Sequence, residues 1–204
     1  TFNTYVKPYI GSHVAKKNGT VWKSIDTFKG KVEPMQIFLY GQMSSKIGDS
    51  KKQLLKAKTL IKKNNVTLFV HAPYLINLCR VQGSKKEVKK GDYEFWEPVT
   101  ILKQQIKVAK YLGCRGVVVH LGNKVSEDVK KIYDSKLKGI ELDDYARSMC
   151  VPNMMTNFEA AAEEATVECP LLLETGSGPE VLSDVHNLAA FWNNLDEETK
   201  KVAG

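Results

Sequence analysis

The sequence predicts an α/β fold of the TIM-type (β/α) barrel, with about five of the eight β/α units present in this chain, and three observations predict it. Short apolar runs alternate with amphipathic helical stretches along the chain. The strand-like runs are apolar throughout instead of alternating, as strands covered on both faces are. Three of them, at 67–70, 116–119 and 170–173, run directly into a ligand-type side chain: His71, His120 and Glu174. Parallel topology brings all strand carboxyl ends to one rim, where a β/α barrel keeps its active site.

Each element can be justified in turn. Pro8-Tyr-Ile-Gly-Ser-His13-Val reads as a first strand ending in polar residues, followed by a Lys/Asn/Gly turn. A helix over 20–29 carries Val21, Trp22, Ile25 and Phe28 on its apolar side. Pro34 restarts the chain into a second strand over 35–40, and Gly41-Gln42 opens the loop beyond it. Leu54, Leu55, Ala57, Leu60 and Ile61 predict a helix over 53–63 with one buried face, leading to the strand that ends at His71. Residues 81–91 are basic and polar and read as a loop.

A long helix is predicted over 93–112, with Pro98 in an early turn and Gly113 as its stop. Its stripe is Leu102, Ile106 and Ala109, widened by Ile101, Val108 and Leu112. After the strand ending at His120, the charged segment 124–142 lacks a continuous stripe and reads as an extended loop with helical pieces. A helical pattern resumes over 145–166, with a break expected near Pro152 and alanines at 160, 161, 162 and 165 that favour close packing. Beyond the strand ending at Glu174, Asp184 is placed to cap a helix running to about Trp192, in which His186 reads as structural or exposed. At Lys-Lys-Val-Ala-Gly204 a sixth strand is expected to begin.

Composition sets the outer limits. With 204 residues and 43% hydrophobic content the chain can form one sizeable core or most of a larger one. Thirty Lys plus Arg against 23 Asp plus Glu leave a net charge of +7, compatible with a polyanionic partner. Lysine pairs such as Lys51-Lys52 and Lys130-Lys131 have the pattern of solvated helix faces. Cys79, Cys114, Cys150 and Cys169 lie far apart with no C-x-x-C spacing, which favours buried thiols in a reducing, intracellular setting. Nucleus or cytoplasm fits that setting, and a viral or organellar origin stays open. No apolar run approaches ~20 residues, so no membrane-spanning segment is expected.

Two histidines and a carboxylate at neighbouring strand ends make a transition-metal ligand set, because zinc accepts imidazole nitrogen and carboxylate oxygen while leaving positions open. Any one histidine alone reads rather as a satisfied strand-end residue, and it is three such groups in register that point to a ligand set. Spacing does not separate a zinc hydrolase from a metal-dependent sugar isomerase or epimerase on the same barrel.

Four motifs go further. Tyr9-Ile-Gly-Ser-His13-Val, His71-Ala-Pro-Tyr-Leu-Ile-Asn-Leu78, Val119-His120-Leu-Gly and Leu172-Leu-Glu174-Thr resemble, in order, the opening motifs of the endonuclease IV family, AP endonuclease family 2. The most discriminating part is the Tyr-Leu-Ile-Asn-Leu element. The resemblance implies a xylose isomerase-like TIM barrel of which residues 1–204 are the N-terminal portion, as a single domain with the C-terminal remainder missing. It implies zinc, three ions in a complete family member, and hydrolysis of the DNA phosphodiester 5′ to an abasic site in base excision repair. By the same resemblance His71 and His120 are metal ligands, Glu174 is a bridging, catalytic ligand, and His13 has a supporting role behind them. Gln42, Tyr74 and Leu75 correspond to DNA-binding positions, the last two in a loop that penetrates the duplex, so double-stranded DNA with abasic sites is the implied partner.

Three departures accompany the match. Met43 stands where relatives often have an arginine that enters the base stack, and the 124–142 segment is long for this family. The Asp-x-x-His motif and the later histidine, aspartate and glutamate ligands do not occur in these 204 residues, which leaves two of the three zinc sites incomplete. A catalytically inactive fragment acting as a DNA- or protein-binding module, or one completed by a second chain, is therefore the alternative of a different class.

Overall fold

The computed structural model describes residues 10–79, 98–123, 140–176 and 180–204. Within them, five short strands form one parallel sheet whose spatial order equals the chain order. These are β1 (Ser12–His13), β2 (Met35–Phe38), β3 (Leu68–His71), β4 (Val117–His120) and β5 (Leu171–Glu174). Parallel neighbours need a crossover, and helices supply it. α1 (Val21–Phe28) joins β1 to β2 and α2 (Lys51–Asn64) joins β2 to β3. α3 (Pro98–Leu112) precedes β4, and α4 (Ile140–Ala162) precedes β5. After β5 come α5 (Val185–Asn193) and the short α6 (Glu197–Lys201). The crossover helices pack side by side in the same order, α1 on α2, α2 on α3 and α3 on α4. Val202 to Gly204 then run parallel beside β5, where Leu171 N donates to Val202 O (3.0 Å) and Leu173 N to Gly204 O (2.7 Å). This isolated parallel bridge falls where a sixth strand is expected to begin.

Local signals explain most boundaries. Ser50 and Gln53 form a reciprocal capping box at the start of α2, which ends where Asn65 adopts a left-handed conformation (φ 50°). α3 is described from Pro98 and stops before Gly113 at φ +78°. The Asp184 carboxylate accepts the Asn187 N–H at 2.9 Å and starts α5 as its position predicts. His186 lies exposed on that helix.

Three expectations need correction. Leu55 does not share the buried face of α2 and is 56% exposed, because it stands about 100° around the helix from Leu54 and further still from Ala57. Residues 140–142, the end of the segment expected as an extended loop with helical pieces, belong to α4. That helix continues through Pro152 without a break and ends at Ala162. An interior proline costs a helix about 3 kcal/mol, but Cys150, Met154, Phe158, Ala161 and Ala162 are all buried on both sides of it. Packing of that stripe outweighs the lost backbone bond. The expectations for 81–91, for 93–97 of the long helix, and for 124–139 lie outside the described residues. No helix among the described residues is long and apolar enough to cross a membrane.

Register decides what faces the site. Aligned residues of parallel neighbours point to the same side, and side chains alternate along each strand. His13 pairs with Gln36, Phe38 with His71, His71 with Val118, and His120 with Glu174. Stepping by two from each pair puts His13, Gln36, Phe38, His71, His120 and Glu174 on one face at the carboxyl ends.

Candidate metal centre

Three strands deliver the cluster. One ligand atom each from His71, His120 and Glu174 falls within 4.8 Å of the others, a group that could hold a metal ion. Glu174 Oε2 lies 3.2 Å from His71 Nε2 and 3.6 Å from His120 Nε2. Donor atoms about 2.0–2.1 Å from a tetrahedral zinc stand roughly 3.3–3.4 Å apart, so both separations suit a shared ion.

The hydrogen bonding of His71 adds an independent argument. The ring is buried, and Nδ1 lies 2.7 Å from the Ala72 carbonyl. Burial is the main cause holding this imidazole below its ordinary pKa, with His120 and His13 adding to it, against the Ala72 carbonyl and Glu174. A neutral ring has one N–H, and the Ala72 carbonyl claims it at Nδ1. The Nε2 lone pair then faces a carboxylate oxygen, two electron donors at hydrogen-bond distance. A cation between them relieves that opposition, so the donor set fits a divalent metal. The thiols are unsuited to the task. Burial pushes Cys169 up to about 11 and raises Cys114 further, which keeps both protonated at neutral pH.

His13 is exposed and does not join the cluster. Its Nδ1 lies 2.8 Å from Gln36 Oε1, and its ring stands 6.0 Å from that of His71. Tyr74 roofs the histidines, with ring centroids 5.3 Å from His71, 5.5 Å from His120 and 5.4 Å from Phe38. It remains 46% exposed, whereas Leu75 is half-buried against the core. Of that pair, Tyr74 is the side chain that projects. Gln42 is tied to it directly, because the Tyr74 N–H donates to the Gln42 carbonyl at 2.8 Å. Met43, next in that loop, is 71% exposed.

Two residues that carry this architecture were not singled out from sequence. Asn77 donates through Nδ2 to Asn123 O (2.8 Å) and accepts the Cys79 N–H (3.1 Å), while Leu78 N donates to Leu121 O (3.0 Å). The asparagine thus fastens the loop after β3 to the loop after β4. Gly122 lies against it at φ +121°, where an added Cβ would meet Asn77 Oδ1 at 2.3 Å. Asn77 sits inside the motif that matched the family best, and this clamp is a physical reason for its place there. The second is Glu180, six positions beyond Glu174. Its carboxylate Oε2 lies 3.5 Å from His120 Nδ1. Gly176 makes room for it, since a Cβ there would meet Glu180 Oε2 at 1.7 Å. Residues 177–179 between them lie outside the described residues.

Known proteins were compared with the chain. No family profile matches it. A protein of Acanthamoeba polyphaga mimivirus named endonuclease 4 is 26% identical over 174 residues, covering 83% of this chain and 46% of the relative. The chain thus spans about half the length of that curated relative. Among solved structures, endonuclease IV from Thermus thermophilus superposes with a TM-score of 0.58 at 19% identity, over 92% of this chain and 60% of that one. A D-tagatose 3-epimerase-like protein superposes with a TM-score of 0.60 at 14% identity, over 96% and 63%. At such identities the two structures speak for the α/β TIM-type fold alone, and the sequence relatives separate the lineages. Their likeness to this chain supports the endonuclease IV family.

Proposed function

We propose that the chain is the N-terminal, metal-binding portion of a zinc-dependent abasic-site endonuclease, hydrolysing the DNA phosphodiester 5′ to an abasic site in base excision repair. The observation that carries this reading is the His71–His120–Glu174 cluster lying directly beneath an exposed Tyr74. His71 and His120 offer Nε2, and the half-exposed Glu174 carboxylate offers Oε2 to the same point while keeping an open side for substrate. Zinc, when bound, supplies positive charge that offsets the anionic phosphodiester and assists hydroxide attack. Tyr74 and the Gln42 loop, joined by a backbone hydrogen bond, form the DNA-facing rim. A nucleotide without a base leaves a gap in the stack, and a projecting aromatic ring can fill it at little cost in unstacking. His13, two strands away from His71 with its ring 6.0 Å from that imidazole and its Nδ1 2.8 Å from Gln36 Oε1, would act only as a supporting residue. The remaining ligands of a three-zinc site would come from further sequence or from a complementing chain. An intracellular location, nuclear or cytoplasmic, suits a DNA substrate.

The test is incision of a duplex carrying a stable abasic analogue by the uninterrupted protein. Chelator-sensitive nicking 5′ to the lesion, lost in His71→Ala, supports the proposal; metal-loaded protein that leaves the duplex intact refutes it. A second reading is a sugar isomerase or epimerase on the same barrel, because two imidazoles and a carboxylate at strand ends can hold a cation for either chemistry. Activity on a free sugar with magnesium, manganese or cobalt, without nicking, would establish it instead.

A further inference from the structure

We infer that Glu180 is a positioning residue for His120, fixing the imidazole as its Nδ1–H tautomer so that Nε2 is presented to the metal. The inference rests on the metal-site reading above and adds a residue to it. His120 Nδ1 is buried and has no hydrogen-bond partner, and a buried polar atom left unmatched costs about 1–3 kcal/mol. The carboxylate facing it is Glu180 Oε2 at 3.5 Å, and both side chains are largely withdrawn from solvent, at 17% and 18% exposure. A small closing movement completes an N–H···O bond. His120 Nε2, on the other side of the ring, faces Glu174. The ring therefore has one nitrogen toward the cluster and one toward a separate carboxylate, the arrangement by which a carboxylate orients a metal-ligating histidine and raises its basicity.

The backbone makes the placement specific. Asn123 and Glu180 form an antiparallel bridge, Val181 N donates to Gly122 O (3.2 Å), and Gly176 N donates to Leu182 O (3.1 Å). These bonds lock the loop after β5 onto the loop after β4, which begins at His120 itself. Gly176 completes the fit, because any side chain there would displace the Glu180 carboxylate. The two histidines are thus held by different means: His71 Nδ1 by the backbone carbonyl of Ala72, and His120 Nδ1 by a side chain from another loop.

The test reads the tautomer of metal-free protein by long-range ¹H–¹⁵N correlation, with His120 assigned by its loss in His120→Gln. Wild type is expected as the Nδ1–H tautomer. Glu180→Ala should give mixed tautomers, and Glu180→Gln should retain the Nδ1–H form through its carboxamide oxygen. Gly176→Ala, which leaves the carboxylate intact but pushes it away, should mimic Glu180→Ala. In parallel, Co(II) or Zn(II) affinity measured by chelator competition should fall about 10–100-fold in Glu180→Ala. A wild-type His120 protonated at Nε2, or a Glu180→Ala protein with unchanged tautomer and affinity, overturns the inference. A Glu180-dependent tautomer in a protein that binds no metal sustains the positioning role and removes the metal reading instead.

Discussion

Replacing Asp49 should unfold this protein more readily than any surface change, and should loosen the rim that carries Gln42. The Asp49 side chain is fully buried, and Oδ2 lies 2.7 Å from Lys16 Nζ, itself 9% exposed. Oδ1 accepts the Val21 N–H at 3.0 Å, at the first turn of α1. Lys16 also donates to the Leu39 carbonyl at the end of β2. One carboxylate therefore joins the β1–α1 turn to the loop between β2 and α2. Removing one partner of a buried pair costs about 3–5 kcal/mol, because the other charge is left unmatched, and loss of an N-terminal acceptor costs about 1 kcal/mol. The lysine stem can swing its ammonium toward water, so the lower end applies, about 3 kcal/mol for Asp49→Ala. Against a typical total of 5–15 kcal/mol that is a large fraction. With an m-value of about 2 kcal/mol per M in urea, the midpoint should fall by roughly 1.5 M. Asp49→Asn, which keeps an acceptor for Val21, should lose less, and a Lys16→Met/Asp49→Leu double variant should recover part of the loss. A midpoint change under about 0.5 M for Asp49→Ala would refute the reasoning, as would a double variant less stable than either single one.

Three further outcomes follow from the site. Zinc or cobalt at about 100 times its dissociation constant should stabilise the protein by about 2.7 kcal/mol, or roughly 5–10 °C in Tm for a chain of this size, and His71→Ala or His120→Ala should abolish the shift. In chelated protein, stability should fall as pH drops below about 6.5, where the unfolded chain takes a proton that buried His71 resists. The slope from that group is at most about 1.4 kcal/mol per pH unit and ends at its lowered folded-state pKa; urea midpoints at pH 7.5 and 5.5 read it, and His71→Gln should flatten it. Gly122→Ala combines a strained φ of +121° with a Cβ 2.3 Å from Asn77 Oδ1. It should cost about 2–4 kcal/mol in denaturation and weaken metal binding, since the same loop begins at His120.

The fold was legible because strand and helix patterns differ in period, and because β3, β4 and β5 each carry apolar residues straight into a polar terminus. His71, His120 and Glu174 could be picked out for the same reason, one per strand end. Asn77 and Glu180 escaped because their partners lie in other loops, at Asn123 and His120, and nothing in local sequence announces such a contact. Pro152 misled in the opposite direction. Its local penalty is real, but only the packed arrangement shows the buried residues on either side that override it.

The metal cluster by itself does not separate a nuclease from an epimerase, since two imidazoles and a carboxylate at strand ends can hold a cation for either chemistry. On the proposed function, the rim would carry the distinction. A monosaccharide is recognised by enclosure, with polar groups converging on most of its surface. A duplex cannot be enclosed, and a lesion in it is probed by side chains that stand outward with apolar faces. Tyr74 at 46% and Met43 at 71% exposure stand outward beside the cluster, on loops fastened to each other through Gln42. On the proposed function these exposed groups would be the ones that meet the duplex. Methionine at position 43 suits that role differently from a charged residue. Its flexible thioether can follow the shape of a disrupted base stack but contributes nothing to phosphate attraction, which leaves that term to the chain's surplus of seven positive charges. Affinity for an abasic duplex should then depend on Tyr74 and Met43 in a nearly salt-independent way, with the salt-dependent part residing in the lysines.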